Sequence, residues 1–240
     1  MTAHTRSRYE YGALIEQALN GVRNYSWPTA GGPDAYFGGG AEQFLPGSGS
    51  YQGKDYYAEF AKKGYSISLN KTSLLAASNK QKALGIFCKS NLPVWLDRNI
   101  FPANAAKLNN NPSGASGAAT DLPGLKEMTL KAIDILHARG GKQGFFLMSE
   151  AASIDKQMHA LDYDRALGDL LELDDAIKAT IAKLKSIGQL ENTLIIVSAD
   201  HGHGFGKFRR RTKKPLRAEK HLLKLYRRLW QLRHQVPELT

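Results

Sequence analysis

The sequence predicts an α/β protein, a three-layer sandwich around a mostly parallel central sheet, and three observations carry that expectation. Five short runs have β-type composition: Asp34–Phe37, Tyr65–Leu69, Leu84–Cys88, Gly144–Met148 and Leu194–Ser198. Two long segments with helical periodicity lie between or beside the later runs. The 240 residues are 42% apolar and 23% charged, which excludes disorder as the dominant state and leaves enough apolar surface for a sizeable core.

Each element has a local reason. The opening residues Met1 to Arg6 contain no apolar core of a signal peptide. Gly38 to Gly53, rich in Gly and Ser, and Asn104 to Thr120, rich in Asn, Ala, Gly and Ser around Pro112, read as surface loops. Leu125 to Ala138 follows an Asp121-Leu122-Pro123 start and stops before Gly140-Gly141, the expected punctuation of a helix. Arg165 to Ile187 places Leu170, Leu173, Ile177, Ile181, Leu184 and Ile187 on one stripe, and Gly188 ends it. Followed by Leu194–Ser198, this order predicts a right-handed parallel crossover. Asn24-Tyr25-Ser26 and Asn70-Lys71-Thr72 match the N-glycosylation sequon, a mild pointer to a secretory lineage.

The net charge of +11 is local. Residues 206–240 hold twelve Lys/Arg against Glu219 and Glu238, a net +10, and the rest of the chain is nearly neutral. The basicity therefore says nothing about the partners of the body. It does predict sequence-independent, salt-dependent attraction of the tail to polyanions. A single cysteine, Cys88, excludes a disulfide framework and a multi-thiolate zinc site. Apolar runs such as Leu194 to Val197 fall far short of the ~20 residues of a membrane span.

Chemistry concentrates after the last two predicted strands, where open parallel sheets place their ligands. The first cluster runs from Ser149-Glu150 through Asp155-Lys156 to His159. The second is Asp200-His201-Gly202-His203-Gly204. Carboxylate with imidazole suits zinc, and an additional hard carboxylate suits magnesium. Asp155 and His159, four apart, meet on one face of a helical turn. Asp200 and His201 converge only from a tight loop, for which the glycines supply the freedom. Taken singly, Glu150 is equally an exposed loop carboxylate, His203 a histidine packed beside glycine, and Arg8 a solvated arginine.

In combination these residues resemble the alkaline phosphatase family. Glu150 with Ser153-Ile154-Asp155-Lys156-Gln157 and His159 is similar to its metal-binding stretch, and Thr193 to Gly204 to its Thr-Leu-Ile-Val-x-Ala-Asp-His-x-His motif. Further likeness lies in Phe37-Gly38-Gly39-Gly40-Ala41-Glu42, Leu84-Gly85-Ile86-Phe87 and Glu127 to Ile133, spanning about residues 2 to 205. The resemblance implies that Glu150 binds magnesium, that Asp155 and His159 bind one zinc, and that Asp200 and His201 bind the other. It places Lys156 behind the ligands near the phosphate, His203 beside the zinc pair, and Arg8 on the phosphate. Phosphate monoester hydrolysis through a phosphoserine, two zincs and one magnesium, a homodimer, and a secretory, periplasmic or vacuolar compartment are implied with it. Sulfatases and phosphodiesterases share the layout, but the closeness of both motifs favours the monoesterase branch.

Several family features have no counterpart. No Asp-Ser dipeptide of the nucleophile motif occurs in the chain. The aspartate bridging zinc and magnesium, the hydroxyl residue on magnesium and a distant zinc-binding histidine are also unmatched. The expectation is a partial phosphatase-like domain at 1–205, incomplete at both ends and of low or no activity. Residues 206–240 are expected to be a basic tail unrelated to the family, such as a shifted reading frame or misjoined gene model produces. Two other readings stand beside the enzyme: an inactive metal- and phosphate-binding fragment, and a nucleic-acid-binding protein acting through the tail.

Overall fold

The computed structural model describes residues 7–21 and 32–203. The Asn24 sequon and the basic tail, with its Leu222, Leu225 and Leu229 face, lie outside the described residues. Three of the five predicted runs form strands: β1 (Ala35–Gly38), β2 (Tyr65–Ser68) and β3 (Lys82–Ile86). All pairing is parallel, in the order β1-β3-β2, with Phe37 opposite Gly85 and Ile67 opposite Leu84. The central strand β3 is buried from Ala83 to Ile86, as a parallel strand covered on both faces requires. Gly85 is needed there, because a Cβ would stand 2.4 Å from Phe87 Cζ and 2.9 Å from Phe37 Cδ1.

Helices fill the connections: α1 (Tyr11–Asn20) precedes the sheet, while α2 (Tyr56–Lys62) and α3 (Lys71–Ala76) return the chain between strands. Asp55 Oδ1 caps α2 by accepting from the Ala58 N–H at 3.0 Å, and Asn70 Oδ1 caps α3 by accepting from Ser73 at 2.7 Å. The core gathers Ile15, Ala18 and Leu19 of α1 with Phe44, Tyr56, Phe60, Tyr65, Leu84 and Ile86. Phe60 and Tyr65 meet edge to face at 4.9 Å.

The second half is helical: α4 (Trp95–Asn99), α5 (Pro102–Ala105), α6 (Leu125–Gly140), α7 (Ser153–His159) and α8 (Tyr163–Ser186). Both helices expected from periodicity are present as α6 and α8. They pack through buried Ile133, Ile135, Ala176 and Leu184, and Lys183 Nζ meets Asp134 Oδ1 at 2.5 Å. The expected apolar stripe of α8 is only partly covered. Leu170 and Ile181 stay exposed, and α8 instead buries Ala166, Gly168 and Asp169 on its inner side.

The other two predicted strands are corrected by the structure. Among the described residues neither Gly144–Met148 nor Leu194–Ser198 has a sheet partner, so the crossover helix stands there without its parallel strand pair. Phe146, Met148, Leu194 and Ile196 are each more than three-quarters exposed. A strand is completed by a neighbour's backbone, and the described residues supply none here. No helix among the described residues is long and apolar enough to cross a membrane.

Asp169 gives the helical half a pH dependence. Its Oδ1 accepts from the Trp95 N–H at 3.0 Å, and its Oδ2 is buried without a partner. Burial pushes its carboxyl up to about 6, with the Trp95 hydrogen bond opposing and Glu172 reinforcing the rise. Folded Asp169 therefore holds its proton more tightly than the unfolded chain does. Its contribution to stability is complete below its ordinary value near 3.8 and is lost as pH rises through about 6. The unfolding midpoint should fall between these values by a component that Asp169→Asn lacks. Identical pH profiles for both proteins would assign the dependence to other groups.

Candidate metal centre

The site is built where both extended runs end. After the first run the chain enters α7, whose Met158 is buried and whose body packs on α8. A tight turn with Leu161 at φ 55° and an Asp162 cap on Arg165 at 3.1 Å starts α8. One turn of α7 separates Asp155 from His159, and their Oδ2 and Nε2 lie 3.3 Å apart. Asp155 also stands in the first turn of its helix, where the backbone dipole favours a carboxylate.

The second run delivers His203 to the same place. Its Nε2 is 3.8 Å from Asp155 Oδ1, and its ring stands edge to face against His159 with centroids 4.6 Å apart. One donor atom from each of Asp155, His159 and His203 lies within 4.8 Å of the others. Asp155 Oδ1 and both ring nitrogens of His203 are buried with no hydrogen-bond partner. Polar atoms withdrawn from water without a partner are costly, so these three are suited to a ligand that satisfies them. A hollow of about 420 Å³ opens beside them, lined by Asp155, His159, His201, Gly202 and His203. One carboxylate, two imidazoles and an open side fit a zinc-class ion with a free coordination position.

The remaining candidates are less gathered. Asp200 and His201 are exposed. The His201 N–H donates to Asp200 Oδ1 at 2.9 Å, and its Nε2 lies 3.2 Å from Asp200 Oδ2. The Gly202 carbonyl, 2.9 Å from Nδ1, and then the Asp200 charge push the His201 imidazole pKa up. This pair offers two donors and joins no third among the described residues. Glu150 is exposed and belongs to no such group. Lys156 is exposed, and its charge reaches the buried Cys88 thiol, which burial holds at about 11. Cys88 lies just past the C-terminal end of β3. The backbone of Arg8 forms part of a short 3-10 turn (Arg8–Glu10), and its side chain lies outside what is described.

Sequence spacing alone did not join His203 to the α7 pair. A signal was nonetheless present: a histidine between Gly202 and Gly204, beyond a predicted strand that returns from α8.

The family model described as alkaline phosphatase matches residues 1–225. Alkaline phosphatase H of Pseudomonas aeruginosa is 38% identical over 182 residues, covering 71% of this chain and 36% of that protein. The alkaline phosphatase of Escherichia coli K12 is 34% identical over 199 residues, covering 80% of this chain and 39% of that one. The crystal structure of Thermus thermophilus alkaline phosphatase superposes with a TM-score of 0.57 at 28% identity, covering 76% of this chain and 32% of the other. The chain thus spans little more than a third of the length of these relatives. With a family match over most of its residues and the α/β architecture in common, the chain belongs to the alkaline phosphatase family.

Proposed function

We propose that this chain carries the metal- and phosphate-binding part of a phosphate monoester hydrolase. The observation that carries this reading is the group Asp155, His159 and His203, with buried unpartnered donor atoms, in a chain of this family. Asp155 and His159 hold one zinc, with His203 against them. Asp200 and His201 hold the second, and Glu150 holds magnesium. Two zincs so held supply positive charge at both ends of an in-line displacement at phosphorus. Asp155 furnishes the anionic donor, and α7 fixes its spacing to His159. Arg8 offers a planar fork suited to two phosphate oxygens, and Lys156 adds a cation near them. The nucleophile of the phosphoserine route has no counterpart in the sequence. In this reading residues 1–205 form the body and 206–240 the basic tail. Homodimerisation and a compartment outside the cytoplasm belong to the same proposal.

Inorganic phosphate tests the reading, because it is both product and substrate mimic. The chain loaded with zinc and magnesium should bind phosphate, and the EDTA-treated chain should not. Phosphate binding indifferent to EDTA would overturn it. Turnover of p-nitrophenyl phosphate by the loaded chain should stay at background, since no Asp-Ser motif is present. Turnover that disappears in Asp200→Asn would place a working nucleophile within these residues.

A further inference from the structure

The helix α6 carries a buried cation that no carboxylate explains. Lys131 is 6% exposed, although a lysine is almost never buried so fully without a partner. Burial pushes its ammonium pKa down, with Asp134 opposing and Lys183 reinforcing the fall. Asp134 itself is taken by Lys183 Nζ at 2.5 Å. Lys131 Nζ turns instead to three oxygens that bear no formal charge. It donates to the Leu75 carbonyl at 3.2 Å, to Asn79 Oδ1 at 2.7 Å and to the Ala77 carbonyl. An ammonium has three donors, and here each finds an acceptor.

We propose that the Leu75 and Ala77 carbonyls and Asn79 Oδ1 form a site for one compact monovalent cation, with the Lys131 ammonium as its tethered occupant. The two carbonyls lie at the end of α3 and on its C-cap. A helix leaves its last C=O groups without an intrahelical N–H and carries the negative end of its dipole there, so both effects favour a cation. Calcium and magnesium are held with carboxylates or several waters, whereas neutral oxygens alone suit a monovalent ion. A water has only two O–H groups and would leave one acceptor unserved. The site is also a joint, because the turn between α3 and β3 belongs to the sheet and Lys131 to the helical half, 52 to 56 residues away. About two turns further along α6, Arg139 grips the same turn by donating to the Lys80 carbonyl at 2.9 Å and pairing with Asp34 at 2.8 Å. Arg139 is exposed, where such contacts are worth little, so the buried ammonium holds the joint.

The test uses the full chain and the salts of simple cations at one ionic strength. Lys131→Ala vacates the cradle and the path of the stem. In tetramethylammonium chloride, whose cation is too large and has no N–H, its unfolding midpoint should fall about 5 °C below that of the wild type. Ammonium chloride should recover about half of the loss, and n-propylammonium, which rebuilds the missing stem, should recover more. The wild type and Arg139→Ala should be indifferent to which cation is present. A Lys131→Ala midpoint equal in all three salts, or a wild type that responds as the variant does, would overturn the proposal. A second measurement does not depend on the variant folding. In the wild type labelled with 15N-lysine, one Nζ should couple to three slowly exchanging protons, and Asn79→Ala should speed that exchange by about tenfold or more. The lack of any such protected ammonium would overturn the proposal as well.

Discussion

Asp155→Asn is expected to weaken zinc binding by about a hundredfold or more, the largest functional effect of any single change in this chain. Asp155 is the one anionic donor of its group, and its Oδ1 is buried beside His203 without a hydrogen-bond partner. An amide of the same shape keeps the packing and removes the charge. His203→Ala should cost about ten- to a hundredfold, the loss expected for a side chain that supports the ligands, and His201→Ala should leave this site nearly unchanged. Competition against a chelating dye reads the affinities. Cobalt substitution reads the geometry, because a tetrahedral site has intense visible bands. Equal affinities for the wild type and Asp155→Asn would show that α7 does not hold the metal. Loss of the cobalt spectrum in His201→Ala alone would move the centre to the Asp200–His201 pair.

Glu172→Ala should be the most destabilising polar substitution. Arg98 Nη2 lies 2.5 Å from Glu172 Oε2, with both side chains 12% exposed. Glu172 Oε1 accepts from the Leu125 N–H at 3.1 Å, and Arg98 Nε donates to the Pro93 carbonyl at 2.8 Å. One carboxylate on α8 thus holds α4 through Arg98 and the first turn of α6 through a backbone amide. Removing it leaves a largely buried guanidinium and an orphaned helix-start N–H, a loss of about 3–5 kcal/mol. For a domain of this size that corresponds to a fall of roughly 10 °C in unfolding temperature. Calorimetry would read it, with Glu172→Gln expected to recover part of the loss by keeping the hydrogen bonds. An unchanged midpoint would mean that α4 and α6 are held by their apolar contacts alone. Of these helices α8 also packs on α7, so Glu172→Ala should also weaken zinc binding without touching a ligand.

How much of this was readable beforehand depended on the range of the interaction. The helices α6 and α8 were legible because their start and stop signals lie within a few residues of their ends. The Asp155–His159 pair was legible for the same reason, since a four-residue spacing becomes a shared face once a helix forms. Three strands were legible because their partners are also present, and β3 is covered on both faces. The apolar stripe of α8 was misjudged at Leu170 and Ile181, because periodicity says which residues share a face and not what will cover it.

The sequence by itself determined the α/β class, the two long helices, the family resemblance and the α7 pair, all through local propensity or contiguous motifs. Only the tertiary structure decided that His203 crosses the full length of α8 to stand against Asp155 and His159. It alone decided that the Asp200–His201 pair remains an exposed two-donor group, and that two strand-like runs stand without partners. A helix satisfies its backbone within its own segment, so sequence can announce it. A strand or a metal centre is completed by residues elsewhere, and only their arrangement in space decides whether they meet.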